Sequence, residues 1–124
     1  MGEVKTHKDL DVWNKSILFV VDVYNITTCF PDAERYGLTN QIRRAAVSIP
    51  SNIAEGAARV SGKEFVQFLS IAIASSAEVE TQLIISKELN FLANDDFDKL
   101  NDELNDIQKM LLGLRNKIKK TINN

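Results

Sequence analysis

Apolar residues recur at three- and four-residue steps in four separate segments, and no segment alternates with a period of two, so the chain is expected to form helices and no strands. In the first segment, about residues 11–28, the stripe is Leu10, Trp13, Ile17, Val20, Val21 and Tyr24. Asp9 or Asp11 is placed to cap its free amides, and Phe30-Pro31 ends it, because a residue before proline leaves the helical region. The second helix is expected from an N-cap at Thr39 to about Ala58, with Ile42, Ala46, Ile49, Ile53 and Ala57 as its core stripe. The third opens on Ser61-Gly62-Lys63-Glu64, which fits a capping box with Val60 and Phe65 as a hydrophobic staple. It continues through Phe68, Leu69, Ala72, Ser76, Val79 and Leu83 to about Leu92. The fourth, about residues 96–122, carries Phe97, Leu100, Leu104, Ile107, Leu111, Leu114 and Ile118, an unbroken heptad seam. Four helices with short connections and such a seam predict an all-α, antiparallel, up-and-down four-helix bundle. It is one domain over residues 1–124, with a polar leader at residues 1–8 that includes a solvated His7.

The second helix breaks the pattern in an informative way. Pro50 sits in its middle, removes one hydrogen bond and presses on the carbonyl of Ala46, so a kink is expected there. Val47, Pro50, Ala54 and Ala58 form a stripe offset from the core positions. The third helix likewise carries Ile71, Ala74, Ile84 and Ile85 away from its core face, and its centre from Ser70 to Ala77 is almost all small or apolar. Apolar surface beyond one core predicts self-association, which makes Val47, Pro50, Ala54, Ala58, Ile71 and Ala74 candidates for a subunit interface. The alternative is a wider intramolecular core. The other side of the second helix is a polar seam of Gln41, Arg44, Ser48, Asn52, Glu55 and Arg59. It reads as a hydrogen-bonding network between helices or subunits; Arg43, Arg44 and Arg59 also offer a phosphate or ligand site.

Composition narrows the function. The chain has 124 residues, 44% of them hydrophobic and 26% charged, with net charge −2, which is ordinary for a soluble domain and lacks the basic excess of a dedicated nucleic-acid binder. The single cysteine, Cys29, allows no intrachain disulfide and suggests a reducing compartment. No secretory pattern is visible and the longest apolar run is short of a membrane span, so a cytoplasmic protein without a membrane partner is expected. Acidic residues at the start of the fourth helix and Arg115, Lys117, Lys119 and Lys120 at its end complement the helix dipole. With Arg43, these basic residues are the candidates for contacts with RNA or DNA. One His and one Cys exclude His- or Cys-cluster metal sites, and neither GxxxxGK[ST] nor GxGxxG occurs. No catalytic residues, metal or cofactor are therefore expected.

Several motifs occur in order: Asp9-Leu10-Asp11-Val12-Trp13, Tyr36-Gly37-Leu38-Thr39, the run from Gln41 to Gly56, and Glu64-Phe65-Val66-Gln67-Phe68-Leu69. Together they resemble the 23S rRNA intervening-sequence (S23-like) proteins over nearly the whole chain. The resemblance implies a small bacterial cytoplasmic protein, a left-handed four-helix bundle, and assembly into homo-oligomeric rings, often pentamers. Some family members are encoded within insertions in bacterial 23S rRNA genes, a genomic circumstance that does not show RNA binding. The fold is also similar to the accessory variability protein of diversity-generating retroelements, which contacts a reverse transcriptase and nucleic acid. The resemblance supplies no catalytic residues. The expected function is a non-catalytic, ring-forming scaffold or accessory module for another protein. The alternative is an RNA- or DNA-binding accessory protein whose basic surfaces are gathered by the ring.

Overall fold

In the computed structural model, which describes residues 6–123, four helices carry the fold: α1 (Asp11–Thr27), α2 (Leu38–Ala57), α3 (Gly62–Glu88) and α4 (Asn94–Asn123). Short 3-10 turns at His7–Asp9 and Asp32–Glu34 precede α1 and α2. No strand occurs among the described residues. The helices touch in the order α1–α2–α3–α4–α1, while α1 and α3, and α2 and α4, do not meet across the diagonal. Phe30 at the end of α1 lies 6.0 Å from Phe91 just after α3. At the opposite end, Gly62 at the start of α3 lies against Ile118 and Ile122 near the end of α4. These contacts agree with the expected up-and-down order.

The core takes one face from each helix. The α4 seam behaves as its heptads predict, with Leu100, Leu104, Ile107 and Leu111 fully buried. In α2, Ile42, Ala46, Ile49 and Ile53 are fully buried, and in α3 so are Leu69, Ala72, Val79 and Leu83. The first helix departs from expectation. Its core face is Val12, Ser16, Phe19, Val23 and Thr27, whereas Ile17, Val21 and Tyr24 of the expected stripe are exposed. Two polar residues hid the true face. Ser16 donates to the Trp13 carbonyl at 2.8 Å and Thr27 to the Val23 carbonyl at 2.7 Å, so both satisfy themselves within the helix and can be buried.

Helix ends differ from expectation in several places. Leu10 is the N-cap of α1 and no side chain caps it, so Asp11 does not serve; the side chain of Asp9 and the leader residues 1–5 lie outside the described residues. His7 is not simply solvated: its ring meets Trp13 edge-on at 4.8 Å. Thr39 is buried inside α2 and Gly37 is the N-cap; the Leu38 amide instead donates to Glu34 Oε1 at 3.2 Å. At α3 half of the capping box forms, with the Glu64 amide donating to Ser61 Oγ at 3.3 Å. The staple does not form, because Val60 is fully exposed. Finally, α3 stops at Glu88 rather than near Leu92. Asn90 takes a left-handed conformation with φ 63°. The Phe91 amide then bonds the Ser86 carbonyl at 2.9 Å and the Asn90 amide bonds the Lys87 carbonyl at 3.0 Å, which is a Schellman ending.

The tightest packing is between α2 and α3. A Cβ on Gly56 would lie 2.8 Å from both Phe65 Cδ1 and Phe68 Cβ. Gly113 on α4 has open space around it. Gly56→Ala should therefore destabilise the protein by about 1–3 kcal/mol through overpacking, less some gain in helix propensity. Gly113→Ala should stabilise it by about 0.5–1 kcal/mol. Urea denaturation of the two variants tests the contrast, and equal behaviour would refute the close approach.

Candidate interaction surfaces

The face of α1 that was expected to enter the core forms one wall of an apolar groove. Trp13, Ile17 and Val20 of α1 stand opposite Val47, Pro50 and Ala54 of α2, around a cavity of about 320 Å³. Three of the expected interface residues thus meet in one place, with different exposure: Val47 is exposed, Ala54 half-buried and Pro50 buried on the floor. The helix is continuous on both sides of Pro50. Ala58, just past the end of α2, is exposed and does not line the groove.

The second apolar surface is the outer side of α3. Ile71 (47% exposed), Ala74 and Ile85 (44% exposed) fall on one side of it with exposed Glu78 between them, while Ile84 (47% exposed) lies about 140° round the helix from Ile71. No charged residue occurs from Phe65 to Ala77. By length and composition α3 is apolar enough to cross a membrane, the one such helix among the described residues, yet only 33% of its most apolar window is buried. Its other face carries buried Ser75, Ser76, Gln82 and Ser86, which identifies it as a bundle helix with apolar surface to spare.

Between these two surfaces runs the polar seam of α2, at its junction with α3. Ser48 Oγ and Ser75 Oγ share a hydrogen bond of 2.8 Å. Asn52 Nδ2 donates to the Ser48 carbonyl at 2.8 Å and to Ser48 Oγ at 2.9 Å, so the Asn52 amide nitrogen serves Ser48 rather than the carbonyl of Ala46. Arg59 pairs with Glu55 at 3.3 Å and lies 4.8 Å over the Phe68 ring. Gln41 and Arg44 are exposed. The middle of the seam is a contact between helices, and its ends face outward.

The basic candidates do not converge. Arg43 and Arg44 lie near the start of α2 and Arg59 just beyond its end, about 22 Å away along the helix. Lys117, Lys119 and Lys120 are exposed at the end of α4, on the side of Arg59. Arg115 is half-buried; its Nη1 donates to Ser70 Oγ at 3.2 Å while its buried Nε has no partner among the described residues. Arg43 is committed within the chain. Its Nε donates to Thr27 Oγ1 at 2.9 Å, its Nη2 to the Tyr24 carbonyl at 3.2 Å, and its guanidinium lies 4.6 Å over the Tyr24 ring. It thus satisfies the carbonyl end of α1, a role that only the tertiary structure reveals.

No group of three or more His, Cys, Asp or Glu side chains is placed to hold a metal among the described residues. Among the described residues two ion-paired sets join helices: Lys15 of α1 lies 3.7 Å from Asp106 of α4, and Lys99 Nζ donates to Asp22 Oδ2 at 2.8 Å and to Glu103 Oε2 at 2.6 Å. The bond from Lys99 holds the Asp22 carboxyl below its usual value. Burial pushes Glu103 up, and the bond to Asp22, followed by that to Glu103, raises Lys99.

Residues 8–113 match the protein family described as 23S rRNA-intervening sequence protein. Among solved structures, the chain is similar to a protein of unknown function from the S23 ribosomal protein family of Bacteroides thetaiotaomicron. The two are 25% identical, with a TM-score of 0.78, over 84% of this chain and 97% of that one. Comparison with curated proteins gives no match.

The Lys99 cluster has a signed pH dependence. Because the Asp22 value is depressed in the folded state, its stabilisation is present above the ordinary 3.8 and is lost as pH falls through the lower folded value. Glu103 has the opposite sign and costs stability once ionised. Lys99→Met should lower stability at neutral pH by about 0.5–1 kcal/mol, the scale of exposed ion pairs. The gap from the unmodified protein should narrow as Asp22 protonates. Urea melts at pH 7 and in acid read it, and a gap that widens in acid would contradict the pairing.

Proposed function

The chain belongs to the 23S rRNA-intervening sequence protein family, and we propose that it acts as a non-catalytic, homo-oligomeric interaction module. The observation that carries this reading is the outer side of α3. Over the charge-free residues 65–77 Ile71 and Ala74 are exposed, and Ile85 falls on the same side past Glu78, so α3 leaves apolar surface that a monomer would present to water. The groove between α1 and α2 is a second such surface.

The two surfaces differ in shape: one is the convex outer side of a helix, the other a groove between α1 and α2. Head-to-tail contact between the α3 side of one copy and the groove of the next is heterologous, and such contacts close into rings when the rotation permits. Five copies is the ring size that the family resemblance suggests. The assembled ring then offers its polar ends to a partner protein. A nucleic-acid role has less support, since the basic candidates do not converge: Arg43 lies at one end of the bundle and Lys117, Lys119 and Lys120 at the other. A ring gathers those lysines only as repeated weak patches.

Light scattering at micromolar concentration should give a mass that is a multiple of 13.9 kDa. Ile71→Glu should shift it to the monomer with the helical circular dichroism intact, because Ile71 is exposed within one copy. A monomer from the unmodified protein would overturn the proposal.

A further inference from the structure

A second cavity, of about 740 Å³, lies where α1 turns into α2. Its size is that of a small-molecule site. Its wall runs from the end of α1 through the connecting turn to the first turns of α2, and includes Arg35, Arg43 and Asp32, so it is net positive in a chain whose total charge is −2. Three features there have no role in the bundle. Arg35 is exposed and its side chain makes no hydrogen bond or ion pair among the described residues. Tyr36 is 87% exposed, a large aromatic ring with free faces at the edge of the cavity. The amides of Thr39 and Asn40, in the first turn of α2, have no acceptor among the described residues; Glu34 takes the Leu38 amide. Arg43 adds a guanidinium whose direction is already fixed through Nε and Nη2, which leaves Nη1 unspent.

These groups ask for two things at once. The free amides of Thr39 and Asn40 and the two arginines suit a compact anion, beside the Glu34 carboxylate that already caps the Leu38 amide. The open ring of Tyr36 suits a planar group stacked beside it. We propose that this cavity binds a nucleoside monophosphate. Its phosphate sits at the first turn of α2 between Arg35 and Arg43, and its base lies against Tyr36. A long polynucleotide fits less well, because α4 begins at the same end of the bundle with Asp95, Asp96 and Asp98, whose charge repels an extended phosphate chain. The site is formed within one copy and does not depend on assembly.

Calorimetric titration of the full chain with AMP, GMP, CMP and UMP in turn, and with adenosine and inorganic phosphate, tests the site. At least one monophosphate should saturate it, with phosphate and adenosine each about tenfold weaker or more, the effect expected from losing a charged hydrogen bond or a stacked ring. Arg35 and Tyr36 are exposed, so their variants keep the fold, which circular dichroism checks. Arg35→Ala should weaken the monophosphate about tenfold or more. Tyr36→Ala should abolish the preference for it over phosphate. Arg44→Ala, outside the cavity, should change nothing. No saturable binding at millimolar monophosphate, equal binding of phosphate, or an unaffected Arg35→Ala variant would each overturn the proposal.

Discussion

At Gly56 there is no room for a side chain: the nearest atoms of Phe65 and Phe68 would stand 2.8 Å from a Cβ. That contact sets how near α2 lies to α3, and small residues continue it along the junction, where Ser48 meets Ser75 at 2.8 Å and Ala45 and Ala72 are buried. Close backbones gain dense packing but little apolar area per residue. The larger core side chains must then come from the inward faces, as Ile42, Ile49, Ile53 and Phe19 do, all fully buried. Polar side chains at the junction bond to one another, as polar groups packed between helices do.

The other helices adjust to this pair. Arg43 ties the end of α1 to the start of α2 through the Tyr24 carbonyl and Thr27. Lys99 ties the start of α4 to α1 through Asp22. Further along, α1 and α2 leave the groove floored by Pro50. A proline is at ease on that floor, where its missing amide costs one bond and its ring adds apolar surface. The segment that looks anomalous as a helix is therefore well suited to a helix with a different neighbour on each side.

The sequence showed most where one signal stood alone. The α4 heptads had a single apolar face, and that face is the core. The polar residues of α2 shared a side of the helix, and its middle members do form a network, although Ser75 on the other helix was invisible from local spacing. In α1 two apolar faces competed. The core one was interrupted by Ser16 and Thr27, which bond to carbonyls of their own helix and so count as polar in a pattern but not in a core. The continuous stripe won on periodicity and lost in three dimensions. Thr39 is no cap because the helix starts before it: Gly37 is the N-cap, and the Gln41 amide already bonds the Gly37 carbonyl at 3.0 Å. The role of Arg43 depends on where α1 ends, sixteen residues before it at Thr27, which no local pattern encodes.

The mistaken face of α1 changes what the exposed apolar residues mean. The expected packing placed Ile17, Val21 and Tyr24 in the core and the apolar surplus on α2 and α3. With them outside, the surplus lies in the groove between α1 and α2 and on the outer side of α3. Two such surfaces cannot cover each other within one chain. A two-fold contact satisfies them if the α3 surface of each copy meets the groove of the other, and a head-to-tail contact satisfies them if the rotation closes a ring. In either arrangement the seam, whose ends Gln41 and Arg44 are exposed, would lie at the edge of the contact, where a polar rim belongs.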